Sequence, residues 1–322
     1  MNQSITNPYL SGNEKLSREY REILYSCLEI LNGYATPTQI RKLKKDLQLE
    51  ESTFNEAKFL QAACETSVAA SIASSFPQNF FYEPKLNPPS DVDCSFSYNG
   101  FKFNIEVKCP DFSKANAQKE RNTFNIGAFG RIPEFKDTAE MLSNMFESMG
   151  NAFEVQPHMD NKLKDYLLSA QKKFSNETNP KELNVLLVCC DTAMDMQKWF
   201  HYMYGMQGLF TRDSFHNPLE YDRVDAVILT NLYHRHYSYK DKLKIKDHWS
   251  LGKAFNLIFK NRSLQKGKDE AIWALVDIIP NFSREIVDYL PSLQEIDKNF
   301  AIPMFVGSKL TEAKHFYFEP KI

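Results

Sequence analysis

Between Asp91 and Lys108 the chain reads DVDCSFSYNGFKFNIEVK, two alternating runs joined by Asn99-Gly100. An Asn-Gly pair between such runs predicts a tight hairpin, because a type I′ turn needs positive φ at both central residues. If these two residues are the turn, paired positions follow. Tyr98 faces Phe101, Phe96 faces Phe103 and Cys94 faces Ile105, which makes one apolar face. On the other face Asp93 lies opposite Glu106, and Asp91 opposite Lys108. Alternation from the turn makes Asp93 and Glu106 a non-hydrogen-bonded pair, with Cβ atoms roughly 4.5–5.5 Å apart. Two like charges so placed repel unless a cation sits between them. That polar face is therefore either simply wet or built for a hard divalent cation with oxygen ligands.

The run FNIEVKC has the apolar flanks of a central strand, which weighs against a freely solvated face. ELNVLLVCCD and RVDAVILTN are continuous apolar runs, the pattern of strands buried on both sides. NFFYEPKL reads as a further strand. Between them lie helical stripes. Leu16, Tyr20, Ile23, Leu24, Leu28 and Leu31 recur at helical spacing over 14–32. Thr-Pro-Thr at 36–38 starts a short basic helix. STFNEAKFLQAACETSVAASIASSF forms a long helix with a small-residue side, capped at Ser52 or Thr53. Met159, Leu163, Tyr166, Leu167, Ala170 and Phe174 form one more stripe, and a helical stretch covers about 193–207.

The expected fold is thus α/β: a mixed central β-sheet flanked by helices, with additional helical N- and C-terminal segments. Its parts are a helical flank over 1–51, which could serve as a small DNA-binding appendage, and a core over 52–232. That core carries an insertion at about 110–157, helical near DTAEMLSNMFESM. A mainly helical extension covers 233–322.

Hydrophobic residues make up 43% and charged residues 25% of the chain, which is globular rather than disordered composition. The net charge of −2 gives no global field for nucleic acid, so such a partner must be met by a local patch. No signal-peptide pattern or membrane-spanning run is visible, which leads to the expectation of a cytoplasmic protein without a membrane partner. Six cysteines, at 27, 64, 94, 109, 189 and 190, show no C-x-x-C spacing. They read as reduced thiols rather than a disulfide framework or a zinc site.

An Asp at a strand start, a turn, then Glu-x-Lys in an apolar strand resembles the PD-(D/E)XK nuclease superfamily, the restriction-endonuclease-like fold. Asp93, Glu106 and Lys108 carry the likeness, and the order of elements from about 52 to 231 agrees with it. No proline directly precedes Asp93, so Asp91 and Asp93 both stand as the family aspartate; the register favours Asp93. The resemblance implies Mg²⁺-dependent hydrolysis of DNA phosphodiesters, with Mn²⁺ able to substitute. Asp93 and Glu106 would bind the metal with the main-chain carbonyl of Val107, and Lys108 would orient or help deprotonate a water. It also implies a glutamate from the first core helix, for which Glu65 is the candidate. Supporting groups from the crossover helix would be Gln171 and Lys172.

Nucleic-acid contacts are expected in NLYHRHYSYKDKLKIKDHW, at His234, Arg235, His236 and Lys240, where aromatic and basic residues interleave. A homodimer is among the assemblies the resemblance admits. The competing readings are an RNA-cleaving nuclease of the same fold and a non-catalytic nucleic-acid-binding or regulatory protein on this scaffold.

Overall fold

A computed structural model describes residues 7–49, 53–110, 124–126, 131, 134–155, 160–177, 179–237, 239–241, 247–261 and 267–279. The elements in chain order are α1 (Lys15–Asn32), α2 (Pro37–Asp46), α3 (Glu56–Ser75), β1 (Phe80–Tyr82), β2 (Cys94–Tyr98), β3 (Phe101–Lys108) and β4 (Phe124–Ile126). Then follow α4 (Phe135–Ser148), β5 (Phe153–Val155), α5 (Asp160–Lys173), β6 (Glu182–Cys189), α6 (Ala193–Tyr204), β7 (Ala226–Thr230), α7 (Leu232–His236), β8 (Asn256–Lys260) and α8 (Asp269–Ile278). Six strands form one mixed sheet in the order β1-β2-β3-β6-β7-β8, flanked by helices, so the chain is α/β. Strands β4 and β5 form a small parallel pair of their own.

The hairpin forms in the expected register. Asn99 has φ 49° and Gly100 φ 77°, and Tyr98, Phe96 and Cys94 pair with Phe101, Phe103 and Ile105. Phe96 stacks on Phe103 with centroids 4.9 Å apart, and Phe76 from the end of α3 stacks on Phe96. Phe103, Ile105 and Val107 are buried on this face, each contributing about 1.5–3 kcal/mol of hydrophobic stabilisation. Strand β3 then pairs in parallel with β6, and β6 with β7. All but the first residue of β6 are buried, as an inner parallel strand requires.

Helices cover both faces. On one, Val185, Leu187 and Ile228 meet α3 and, beyond it, Tyr20 and Leu24 of α1. On the other, Leu186, Val188 and Val227 meet Leu163 and Leu167 of α5 and Trp199 of α6. Ala62, Ala63, Ala69 and Ala70 are buried on α3, and their small side chains let the helix lie close to the sheet. Its cap is Asn55, not Ser52 or Thr53: the Asn55 side chain accepts the Lys58 N–H at 3.0 Å. The Gln48 side chain holds the Asn55 N–H at 3.1 Å and so sets where the helix can begin. Thr36 and Gln39 form the reciprocal capping box that starts α2.

The segment after residue 232 holds helix at α7 and α8 but also a strand: β8 pairs antiparallel with β7, so the sheet runs past residue 232. Its apolar run is only five residues long, too short for periodicity to separate strand from helix. Residues 280–322 lie outside the described residues. The polar side of the hairpin is covered, in keeping with the central-strand reading of FNIEVKC. Asn104 is fully buried, accepts from Ser95 Oγ at 2.6 Å and donates to Asn184 Oδ1 at 2.8 Å. The Asn184 N–H donates to Asp225, which holds Lys268 through both carboxylate oxygens at 2.9 and 2.8 Å. Among the described residues no helix is long and apolar enough to cross a membrane.

Candidate functional site

The sheet opens at one point. Pairing between β2 and β3 ends at Cys94–Ile105, yet β3 continues to Lys108 against β6 alone. The chain entering β2 is drawn the other way, since Glu83 N–H donates to the Asp93 carbonyl and Val92 N–H to the Pro84 carbonyl. The Val107 N–H, left without a strand partner, donates to Asp93 Oδ2 at 2.5 Å. In an extended strand a residue's N–H and C=O leave on the same side, so the Val107 carbonyl faces the same gap.

This gap is a cleft of about 270 Å³ between the hairpin, α2, α3 and the end of α5. Asp91, Asp93, Glu106, Val107, Lys108 and Glu65 all line it. Glu106 is 1% exposed. Its Oε1 takes the Lys108 and Lys173 ammonium groups, each at 2.7 Å. Its Oε2 is buried and has no hydrogen-bond partner among the described residues. A buried carboxylate oxygen left bare is costly, and a cation in the cleft would satisfy it. With Asp93 and the Val107 carbonyl it makes an all-oxygen donor set, which suits a hard cation.

The electrostatics agree with crowded negative charge. Burial, then the charges of Glu106 and Glu65, push Asp93 well above the ordinary carboxylate range, against the pull of the Val107 N–H and Lys173. Burial pushes Glu65 up to about 7; its hydrogen bond from Gln61 Nε2, 2.9 Å, opposes this and the Glu106 charge adds to it. Burial disfavours charge on Lys173, but Glu106 outweighs it and holds that ammonium above its ordinary range.

The structure therefore brings Asp91, Asp93, Glu106, Val107, Lys108 and Glu65 together. Neither expected cross-strand pair, Asp93–Glu106 nor Asp91–Lys108, forms: Asp91 and Asp93 lie before β2, Asp93 accepts the Val107 N–H, and Lys108 turns to Glu106. Gln171 and Lys172 are not at the cleft. Gln171 donates to Asp222 Oδ1 at 2.8 Å and accepts the Arg223 N–H at 2.9 Å, which ties α5 to the loop before β7. Lys172 is exposed and does not line the cleft. The group supplied by α5 is Lys173, one residue on. Each helical step turns a side chain by about 100°, and only Lys173 is aimed at Glu106.

Of the expected nucleic-acid contacts in the segment after β7, His234, Arg235 and His236 are engaged within the protein, while Lys240 is at the surface. His236 is fully buried, between Tyr20 Oη at 2.7 Å and Ser67 Oγ at 2.8 Å. Since Ser67 Oγ donates to the Ala63 carbonyl, it accepts from His236 Nε2, and Nδ1 accepts from Tyr20. Arg235 is 1% exposed and donates to the Asp247 and Lys253 carbonyls. His234 Nδ1 donates to the Asp191 carbonyl at 2.7 Å. These three are held by protein because α7 packs beneath α3. Lys240 is at the surface, 3.7 Å from Glu14.

Three thiols also converge, which the cysteine spacing does not reveal. The Sγ atoms of Cys64, Cys109 and Cys189 all lie within 4.8 Å of one another.

The fold and cleft thus define an α/β protein with an acidic, lysine-flanked site at a break in a mixed sheet. Compared with protein-family models, with curated proteins and with solved structures, the chain finds no match in any of the three.

Proposed function

We propose that the chain is a Mg²⁺-dependent nuclease that hydrolyses DNA phosphodiesters at this cleft, on a restriction-endonuclease-like core. The observation that carries the reading is the meeting of Asp93 and Glu106 in the cleft at the sheet break, with Glu106 Oε1 held by two lysines and its Oε2 buried with no hydrogen-bond partner among the described residues. Asp93, Glu106 and the Val107 carbonyl would hold the metal, which when bound supplies Lewis-acid polarisation of a phosphate oxygen and an acidified water.

The chain's own groups do the rest. Lys108 and Lys173 place two positive charges where charge builds on the phosphoryl oxygens. Glu65, held up to about 7, is poised to accept a proton near neutral pH from the attacking water. Lys42 and Lys58 line the cleft, and Arg41, Lys44 and Lys45 are exposed on α2 beside it. Together they give a nearly neutral protein the local positive patch a phosphate backbone needs.

The test is incubation of plasmid, single-stranded DNA and RNA with wild type and Glu106→Gln, in Mg²⁺ or in chelator. The expected result is DNA cleavage by wild type in Mg²⁺ only. No cleavage of any substrate rejects the reading, and cleavage of RNA alone moves it to an RNA-cleaving enzyme.

A further inference from the structure

We propose that Cys64, Cys109 and Cys189 form a second, sulfur-lined site that takes a divalent thiophilic cation of the Zn²⁺/Cd²⁺ class. The three come from three elements. Cys64 lies on α3, Cys109 follows the last residue of β3, and Cys189 ends β6. Parallel pairing of Lys108 with Val188 brings Cys109 and Cys189 side by side on the face turned toward α3. Cys64 comes down on them from that helix.

The spacing is close to what coordination requires. Zinc–thiolate bonds of about 2.3 Å in a tetrahedral site put sulfur atoms about 3.8 Å apart. Sulfurs already within 4.8 Å of one another reach this by rotamer adjustment rather than by moving a strand. The three Sγ atoms, brought from three elements, share one small volume.

Charge selects the ion. Binding follows 3 RSH + M²⁺ → [M(SR)₃]⁻ + 3 H⁺, with the protons leaving to solvent. A divalent ion leaves one net negative charge in the core, whereas a monovalent soft ion would leave two at greater desolvation cost. Cys64 and Cys189 are fully buried and Cys109 is half-buried, so the side nearest solvent is that of Cys109. The carboxylate cleft and this site differ in hardness, so Mg²⁺ and the thiophilic ion do not compete. Cys64 adjoins Glu65 and Cys109 adjoins Lys108, so the bound ion would clamp α3 to the ends of β3 and β6 directly behind the cleft.

The experiment is a Cd²⁺ titration of the reduced, metal-stripped full chain, followed by the ultraviolet thiolate-to-Cd²⁺ charge-transfer band. The expected result is a band that saturates at one equivalent and is lost on adding excess Zn²⁺. It should be abolished in Cys64→Ala and in Cys189→Ala, and unchanged in Cys94→Ala and in Glu106→Gln. Absence of a band in wild type at one equivalent overturns the proposal without recourse to any variant. So does an undiminished band in a Cys189→Ala protein whose circular dichroism is native. The readout is independent of nuclease activity, so the two proposals fail separately.

Discussion

Replacing Glu65 by Gln should stabilise the metal-free protein at pH 8 and leave it nearly unchanged at pH 5. The folded state holds Glu65 at about 7, against an ordinary value of 4.5, with burial as the main cause. Between these values the folded state binds more protons than the unfolded one, so stability falls as pH rises through the window and the loss is complete above about pH 7. A separation of about 2.5 pH units at 1.36 kcal/mol each gives an upper limit of about 3.4 kcal/mol. Glu65 is only half-buried, so solvent screening brings the working figure to about 1.5–2 kcal/mol.

Glutamine is nearly isosteric, can still accept from Gln61 Nε2, and removes the charge that repels Glu106 and Asp93. The measurement is urea unfolding of wild type and Glu65→Gln in chelator at both pH values. A gain of about 1.5–2 kcal/mol at pH 8, shrinking to under about 0.5 at pH 5, is expected. Saturating Mg²⁺ should narrow the gap at pH 8, because a cation in the cleft relieves the same repulsion. Equal stabilisation at both pH values, or none at pH 8, would refute the crowded-carboxylate account of the cleft.

Lys173→Met should reduce Mg²⁺-dependent cleavage about 10²-fold in single-turnover assays while Lys172→Met leaves it unchanged, since only Lys173 reaches Glu106. Lys268→Met strands the buried Asp225 carboxylate and should cost about 3–5 kcal/mol in denaturant unfolding, with no change in the metal dependence of cleavage. His236→Ala should cost about 2–3 kcal/mol of stability through the lost Tyr20 and Ser67 hydrogen bonds, yet leave DNA affinity intact. Reversing Arg41, Lys44 and Lys45 to Glu should do the opposite: near-normal unfolding, weaker binding, and a log K against log salt slope shallower by about 2–3. Loss of affinity in His236→Ala but not in the α2 variant would return the contact surface to the segment after β7.

The sequence carries the site unevenly, and the boundary falls at particular residues. Period-two alternation and the Asn99-Gly100 turn are local, so they give the register of Tyr98–Phe101, Phe96–Phe103 and Cys94–Ile105 without tertiary information. One residue further the local rule stops applying. Val92 and Asp93 bond to the chain before them, at Pro84 and Glu83, and the ladder breaks. That break leaves the Val107 N–H for the Asp93 carboxylate and leaves room beside Glu106. Lys173 is hidden for a different reason: adjacent lysines at a helix end have the same composition, and only the packing angle of α5 separates them. Cys109 and Cys189 are hidden because a parallel pair joins strands far apart in the chain, where no spacing motif can register it. Regular alternation was legible up to Cys94, and the site begins where that regularity ends. A chain that continued the ladder to Asp91 and Lys108 would close the gap and pair its carboxylates across a strand. The departure from the pattern is therefore what makes the cleft.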